Sequence, residues 1–175
     1  DVTPATQTVK YGHYAGEPTT LAGKSSPAGD KTGYDFRGWV YEVPDPVTGA
    51  MTEVPFAFAT TAVKQNYALK AKWELKKLTV VVTDAPNADA PHTNEEIFRK
   101  NDVPYGGTTA EPTRPENKTG YHFDRWLDNA NNPYDFTQPV TKNETVHATY
   151  APNAYKVRYN ANAADASGTM TDSDH

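Results

Sequence analysis

The chain has 175 residues, among them 14 Pro, 11 Gly, 11 Tyr and no Cys, and a net charge of −5 at neutral pH. Without cysteine there are no disulfides and no thiolate metal sites, and with acidic and basic residues interspersed there is no basic stripe for nucleic acid. No apolar run approaches the roughly 18 residues that cross a membrane, so no membrane insertion is expected. Abundant Pro, Thr, Tyr and Val favour short strands joined by turns over long helices.

The first predicted element is the alternating run Thr8-Val9-Lys10-Tyr11, which puts Val9 and Tyr11 on one strand face and ends at Gly12. Its counterpart is Val103-Pro104-Tyr105-Gly106, and Pro104, which cannot donate a ladder hydrogen bond, places that strand at a sheet edge. Glu17-Pro18 then matches Glu111-Pro112. Both lead to the stretch that organises the chain: Thr32-Gly33-Tyr34-Asp35-Phe36-Arg37-Gly38-Trp39, repeated as Thr119-Gly120-Tyr121-His122-Phe123-Asp124-Arg125-Trp126. Glycine supplies a turn before an aromatic strand. Tyr34 and Phe36 share a face by the period of two, whereas Trp39 has the opposite parity. The strand is therefore packed on both faces, or a bulge re-aims the indole, and Arg125 opposite Gly38 means that the bulge does not require glycine.

After Trp39 the first copy carries an insertion around Val43–Gly49, where the second has the turn-forming Leu127–Asn132. Phe56-Ala57-Phe58 corresponds to Tyr134-Asp135-Phe136, followed by short links at 62–66 and 139–143 that leave room for one helical turn at most. Each copy closes on a half-buried strand. Leu69, Ala71 and Trp73 point inward against Lys70 and Lys72, and Val146, Ala148 and Tyr150 point inward against Thr145, His147 and Thr149. Ala71 and Ala148 stay small because something packs above them. A new strand begins at Leu78, Val80 and Val82, and the pattern returns 77 residues later at Tyr155, Val157 and Tyr159. Thr93–Phe98 reads either as a capping box before a helix or as an edge strand from Ile97, with the strand preferred.

This ordered series, Val-x-Tyr-Gly, Glu-Pro-Thr, Gly-Tyr-x-Phe-x-x-Trp, aromatic-x-Phe and Leu/Val-x-Ala-x-Trp/Tyr, resembles the Listeria–Bacteroides repeat family, the B-repeat module of internalin-type surface proteins. The resemblance implies a mostly β fold of small α+β, β-grasp (ubiquitin-like) modules in tandem. It divides the chain into a unit at 1–75 lacking its first strand, a complete unit at 76–152, and the opening strand and tail of a third at 153–175. A chain that begins inside a repeat reads as a fragment of a longer polypeptide. The implied role is a stalk or spacer on a bacterial cell-surface or cell-wall protein, or else an adhesin module for a host protein or glycan. No catalytic residues or cofactors come with the resemblance, and a non-enzymatic protein is expected.

The residues agree with that expectation. The five histidines show no ligand spacing, and His122 and His147 fall at outward parity. Asp128–Asn132 lacks the alternation, glycine and distal glutamate of a calcium loop. Gly33, Tyr34, Phe36, Trp39, Phe58 and Trp73, with Gly120, Tyr121, Phe123, Trp126, Phe136 and Tyr150, are read as structural motif residues filling repeated small cores. Tyr14, Tyr41 and Tyr67 do not recur and are the candidates for recognition. The strand at Tyr155–Tyr159 is expected to serve in strand exchange between chains, filling the place of the strand that the first unit lacks.

Overall fold

The computed structural model describes residues 6–20, 22–85, 95–159 and 168. The repeated Thr-Gly-Tyr stretch is one backbone shape made twice. Tyr34 N donates to Lys31 O at 3.0 Å and Tyr121 N to Lys118 O at 2.9 Å, each closing a four-residue turn. The third residue of each turn is glycine at positive φ, Gly33 at 77° and Gly120 at 80°, a conformation that costs other residues roughly 1–2 kcal/mol.

Each turn launches an aromatic strand. β1 (Tyr34–Pro44) pairs antiparallel with β2 (Met51–Pro55) and β3 (Lys70–Leu75), in the order β2-β1-β3. β4 (Lys77–Asp84), β5 (Glu95–Pro104), β6 (Tyr121–Asp128) and β7 (Glu144–Pro152) form a second sheet in the order β5-β4-β7-β6. Its two central strands, β4 and β7, are parallel, and its flanking pairs are antiparallel. The edge position of Pro104 follows, because β5 is an outer strand. Ile97 lies in β5, so the strand alternative holds there, while Thr93 and Asn94 fall outside the described residues.

A bulge solves the parity of the tryptophans. Phe36 faces Trp73 and Trp39 faces Ala71, so three steps on β1 match two on β3. In the second sheet Phe123 faces Tyr150 and Trp126 faces Ala148, again three steps against two. The extra residue turns each indole onto the face of its phenylalanine, with ring centroids 5.7 Å apart in the first sheet and 5.0 Å in the second. Gly38 takes φ 105° in the first bulge, but Arg125 enters the second without a positive φ. In both sheets a tryptophan lies across from an alanine, which is why Ala71 and Ala148 are small.

The two sheets differ in how well their interiors are filled. Leu78, Val80, Val82, Val103, Trp126, Phe136, Val140, Val146 and Ala148 form one buried cluster, all in the second sheet and its loops, with Phe123, Tyr134 and Tyr150 packed against it. In the first sheet Val40 and Phe56 are buried, while Phe36, Trp39 and Trp73 are only half-buried. Phe58 packs edge-on against Phe56 with centroids 4.9 Å apart. The second sheet receives Leu78, Val80 and Val82 from β4, and among the described residues no strand supplies their equivalent along the outer edge of β3.

Several expectations are corrected. Residues 6–12 form no strand, because Val9 lacks the partner that Leu78 gives Val103. Tyr155–Tyr159 is likewise in no strand, and its side chains are exposed. His147 is buried, not outward and solvated. It sits in the central strand β7, between Thr83 of β4 and Leu127 of β6, where neighbours on both sides screen it. The insertion after Trp39 is a hairpin extending β1 into β2, its turn held by Asp45 Oδ1, which accepts from Val47 N and Thr48 N. There is no helix among the described residues, so the links at 62–66 and 139–143 contribute backbone bonds, from Gly12 N to Val63 O and from Gly106 N to Val140 O, instead of the helical turn considered from sequence.

Val146→Ala removes apolar volume from the best-packed strand and is expected to lower unfolding free energy by about 2 kcal/mol. Val47→Ala, at a position 90% exposed, is expected to stay within about 0.5 kcal/mol of the parent. Urea unfolding of the two variants checks both.

Candidate functional site

The feature that sets this chain apart from two unconnected sheets is its joint. β3 ends at Leu75 and β4 begins at Lys77, leaving Lys76 as the whole connection. Lys76 N donates to Gly33 O at 2.8 Å, and Tyr105 N donates to Lys76 O at 2.9 Å. Both backbone groups of the connecting residue are therefore tied, one to each sheet. The Tyr105 ring lies over Gly33, where a Cβ would fall 2.4 Å from Tyr105 Cδ1. Glycine is needed at that position for contact as well as for conformation.

A second cluster closes the far end of the second sheet. Asp84 is buried, accepts from Tyr150 Oη at 2.6 Å and pairs with Lys118 Nζ at 2.7 Å. Lys118 also stands 5.2 Å from the centre of the Tyr150 ring. Burial, then the hydrogen bond to the Asp84 carboxylate, hold the Tyr150 hydroxyl well above the usual phenol range. Among the described residues the first sheet has no such buried acid. Lys31, the counterpart of Lys118, lies instead over the Tyr34 ring at 3.9 Å.

The recognition candidates separate. Tyr41 and Tyr67 come together, with centroids 4.9 Å apart, and both reach Phe56, so they join the aromatic interior of the first sheet. Their outer rim, with Glu42, Met51, Gln65 and Lys70, lines a shallow cleft of about 300 Å³. Tyr14 stands apart, 59% exposed, its backbone bridging to Ala62. A larger hollow of about 450 Å³ runs beside Trp126 and Phe123, walled by Arg114 and Glu111. There Trp126 Nε1 donates to Glu111 Oε1 at 2.9 Å, a bond that sequence matching of Glu111 with Glu17 did not reveal. Trp39 and Trp126 each pack within their own sheet, and Tyr121 opens β6 as Tyr34 opens β1.

Among the described residues no three His, Asp or Glu side chains gather as metal ligands. The Asp128 carboxylate is engaged by its own turn, accepting from Ala130 N and Asn132 N, which holds its pKa below the usual carboxylate range. His122 Nδ1 lies 2.8 Å from Asn153 Oδ1 at the surface. No helix among the described residues is long and apolar enough to cross a membrane.

Residues 92–149 match the family description of the Listeria-Bacteroides repeat domain. This segment belongs to that repeat family. The match spans most of the second sheet's strands and leaves β4 and the first sheet to the internal correspondence described above. Two relatives from Evansella cellulosilytica align with most of the chain. One, provisionally named a membrane protein, is 30% identical over 139 residues, covering 78% of this chain and 18% of its own length. The other, provisionally named a Gly-rich membrane protein, is 29% identical over 136 residues, covering 76% and 14%. The chain thus spans less than a fifth of each relative. No solved structure matches at comparable significance.

The raised pKa of Tyr150 predicts an alkaline weakness. Its folded value lies above the unfolded value of about 10, so its contribution is complete below pH 10 and is lost as pH rises further. Tyr150→Phe is expected to lose about 1 kcal/mol at neutral pH and to fall less steeply than the parent above pH 10. Ultraviolet titration of the folded protein should then lack its last-ionising tyrosine.

Proposed function

We propose that the chain is a non-enzymatic spacer segment of a bacterial cell-surface protein, made of β-grasp-like units in tandem that hold a distal domain outward. Its units are 1–75, 76–152 and the opening of a third at 153–175. The observation that carries this reading is the one-residue joint, whose backbone is tied to both sheets and whose glycine is capped by Tyr105. A joint held in this way transmits direction from unit to unit. The central parallel pair β4–β7 supports the β-grasp-like assignment. Relatives many times longer, named for membranes, support a place among large envelope proteins. A unit of this size has a radius of gyration of roughly 11 Å, so each unit adds on the order of 30 Å of reach.

A second reading, adhesion to a host protein or glycan, is favoured by the cleft beside Tyr41 and Tyr67 and by the hairpin present only in the first copy. Glycan and extracellular-protein arrays probed with the whole chain separate the two. The spacer reading expects no binding, and binding lost in Met51→Asp, at the exposed rim of the cleft, would replace it with adhesion.

Spin labels at Val47→Cys and Gln138→Cys, in a chain without native cysteine, report the joint directly. A narrow distance distribution is expected between them. Tyr105→Ala, which removes the ring packed over Gly33, is expected to broaden it while each sheet stays folded. A broad distribution in the parent would overturn the spacer role.

A further inference from the structure

The hollow beside Trp126 is built by three segments of one repeat. β6 supplies Phe123 and Trp126, the loop before it supplies Glu111 and Arg114, and the loop after it supplies Tyr134 and Phe136. Trp126 and Phe136 are buried, whereas Phe123 and Tyr134 keep part of their rings open to solvent. At about 450 Å³ the hollow has the size of a small-molecule site, apolar rings with a few polar groups among them. A peptide strand cannot add here, because the outer edge of β6 is already occupied. Phe123 N donates to Asn117 Oδ1, Trp126 O accepts from Tyr134 N, and Asp128 N donates to Asn132 O.

Some polar groups around the hollow are committed to the protein itself. Arg125 closes on Asp124 through bonds of 2.8 and 3.2 Å, and the Asp135 carboxylate accepts from Thr137 and Gln138. Others are not. Arg114 reaches Glu111 Oε1 only through Nε, at 3.4 Å, and lies 5.3 Å over the Phe123 ring, so among the described residues its terminal nitrogens have no acceptor. Glu111 gives Oε1 to that bond and to Trp126 Nε1, which leaves Oε2 without a donor. Thr109 also lines the hollow, is 8% exposed, and has a hydroxyl with no partner, an uncommon state for a buried polar atom. The first sheet does not repeat this arrangement. The match of Glu17 with Glu111 puts Thr20 in the place of Arg114, and Trp39 Nε1 has no partner.

We propose that this hollow binds a neutral saccharide, one or two pyranose rings of a glycan. A guanidinium fork beside a free carboxylate oxygen offers a donor and an acceptor side by side, which suits two neighbouring ring hydroxyls. Arg114 donates to one hydroxyl and Glu111 Oε2 accepts from the next. Thr109, turned towards the hollow that it lines, gains a partner from a third. The apolar face of the sugar ring lies on Tyr134, whose own ring is braced edge-on by Phe136 with centroids 4.8 Å apart. Because Arg114 stands with Glu111 and Arg125 with Asp124, the wall pairs its charges and selects a ligand without net charge. A ligand held by so few contacts binds with a Kd of about 1–10 mM. Binding this weak does not survive the washing of an array, so the site is independent of the adhesion test at the Tyr41–Tyr67 cleft and of the spacer role.

Nuclear magnetic resonance titration of the isotope-labelled whole chain tests it, with cellobiose, maltose, lactose and diacetylchitobiose as probes. The indole N–H signal of Trp126, which lines the hollow, is the reporter, and those of Trp39 and Trp73 in the first sheet are the controls. At least one of the four sugars is expected to shift the Trp126 signal saturably while the control signals stay in place. Arg114 is 68% exposed in its side chain, so Arg114→Ala and Arg114→Lys both leave the fold intact. Each is expected to weaken binding about tenfold or more, the lysine because it keeps the charge without the fork. Met51→Asp, in the first sheet, is expected to bind as the parent does. The proposal is overturned if none of the four sugars moves the Trp126 signal, or if all three indole signals move together. It is also overturned if Arg114→Lys binds like the parent, or if glucuronate binds more tightly than every neutral probe.

Discussion

The bulge between Phe36 and Trp39, repeated between Phe123 and Trp126, is the constraint from which the rest of each sheet follows. A regular strand would put phenylalanine and tryptophan on opposite faces. One extra residue brings them together, and the indole then needs a small residue across the ladder. Alanine on the facing strand meets that need in both sheets, and the aromatic at Trp73 or Tyr150 closes the other side of the phenylalanine. Edge-to-face pairs of this kind contribute about 0.5–1.5 kcal/mol each beyond the area they bury. They set which face is interior before any loop is considered.

What the two sheets do with that face depends on the neighbouring strand. β4 lays Leu78, Val80 and Val82 beside β7, and Val80, Val82 and Val146 have no exposed surface left. With no such strand among the described residues, the first sheet keeps Phe36, Trp39 and Trp73 half-buried and leans on an aromatic cluster of Tyr41, Phe56, Phe58 and Tyr67. Its other face is wet and carries the pairs Lys70–Glu42, Lys72–Glu53 and Arg37–Glu74. Exposed pairs like these add little stability. The outward parity of Lys70 and Lys72 had already indicated that face.

Local pattern was enough to locate the turns at Gly33 and Gly120, the edge strand ending at Pro104, the alternation of β3, and the alternative of a bulge before the tryptophan. The repeat family was legible from the order of the aromatic signatures, and residues 92–149 match it. Burial of His147 was not legible, because parity describes one face of a strand and says nothing of neighbours that cover the other. Val9–Tyr11 and Tyr155–Tyr159 alternate as strands do yet lie in no strand, because alternation alone does not supply a pairing partner. Tyr41 and Tyr67 do not recur in the second copy, and both pack edge-on in the aromatic cluster of the first sheet. The Tyr105–Gly33 contact and the Trp126–Glu111 bond join residues far apart in the chain, and no local period announces them.

The parallel pairing of β4 and β7 bears on how the second sheet responds to tension. The chain comes into this sheet at Lys77, the start of β4, and leaves it at Pro152, the end of β7. Because the two strands point the same way, a pull on the ends draws them past one another lengthwise. The hydrogen bonds between residues 80–83 and 144–147 are then loaded in shear, all at once. An antiparallel pair pulled from adjacent ends opens like a zipper, one bond at a time. The second sheet is thus wired to resist stretching along the very axis on which a string of such sheets would be pulled.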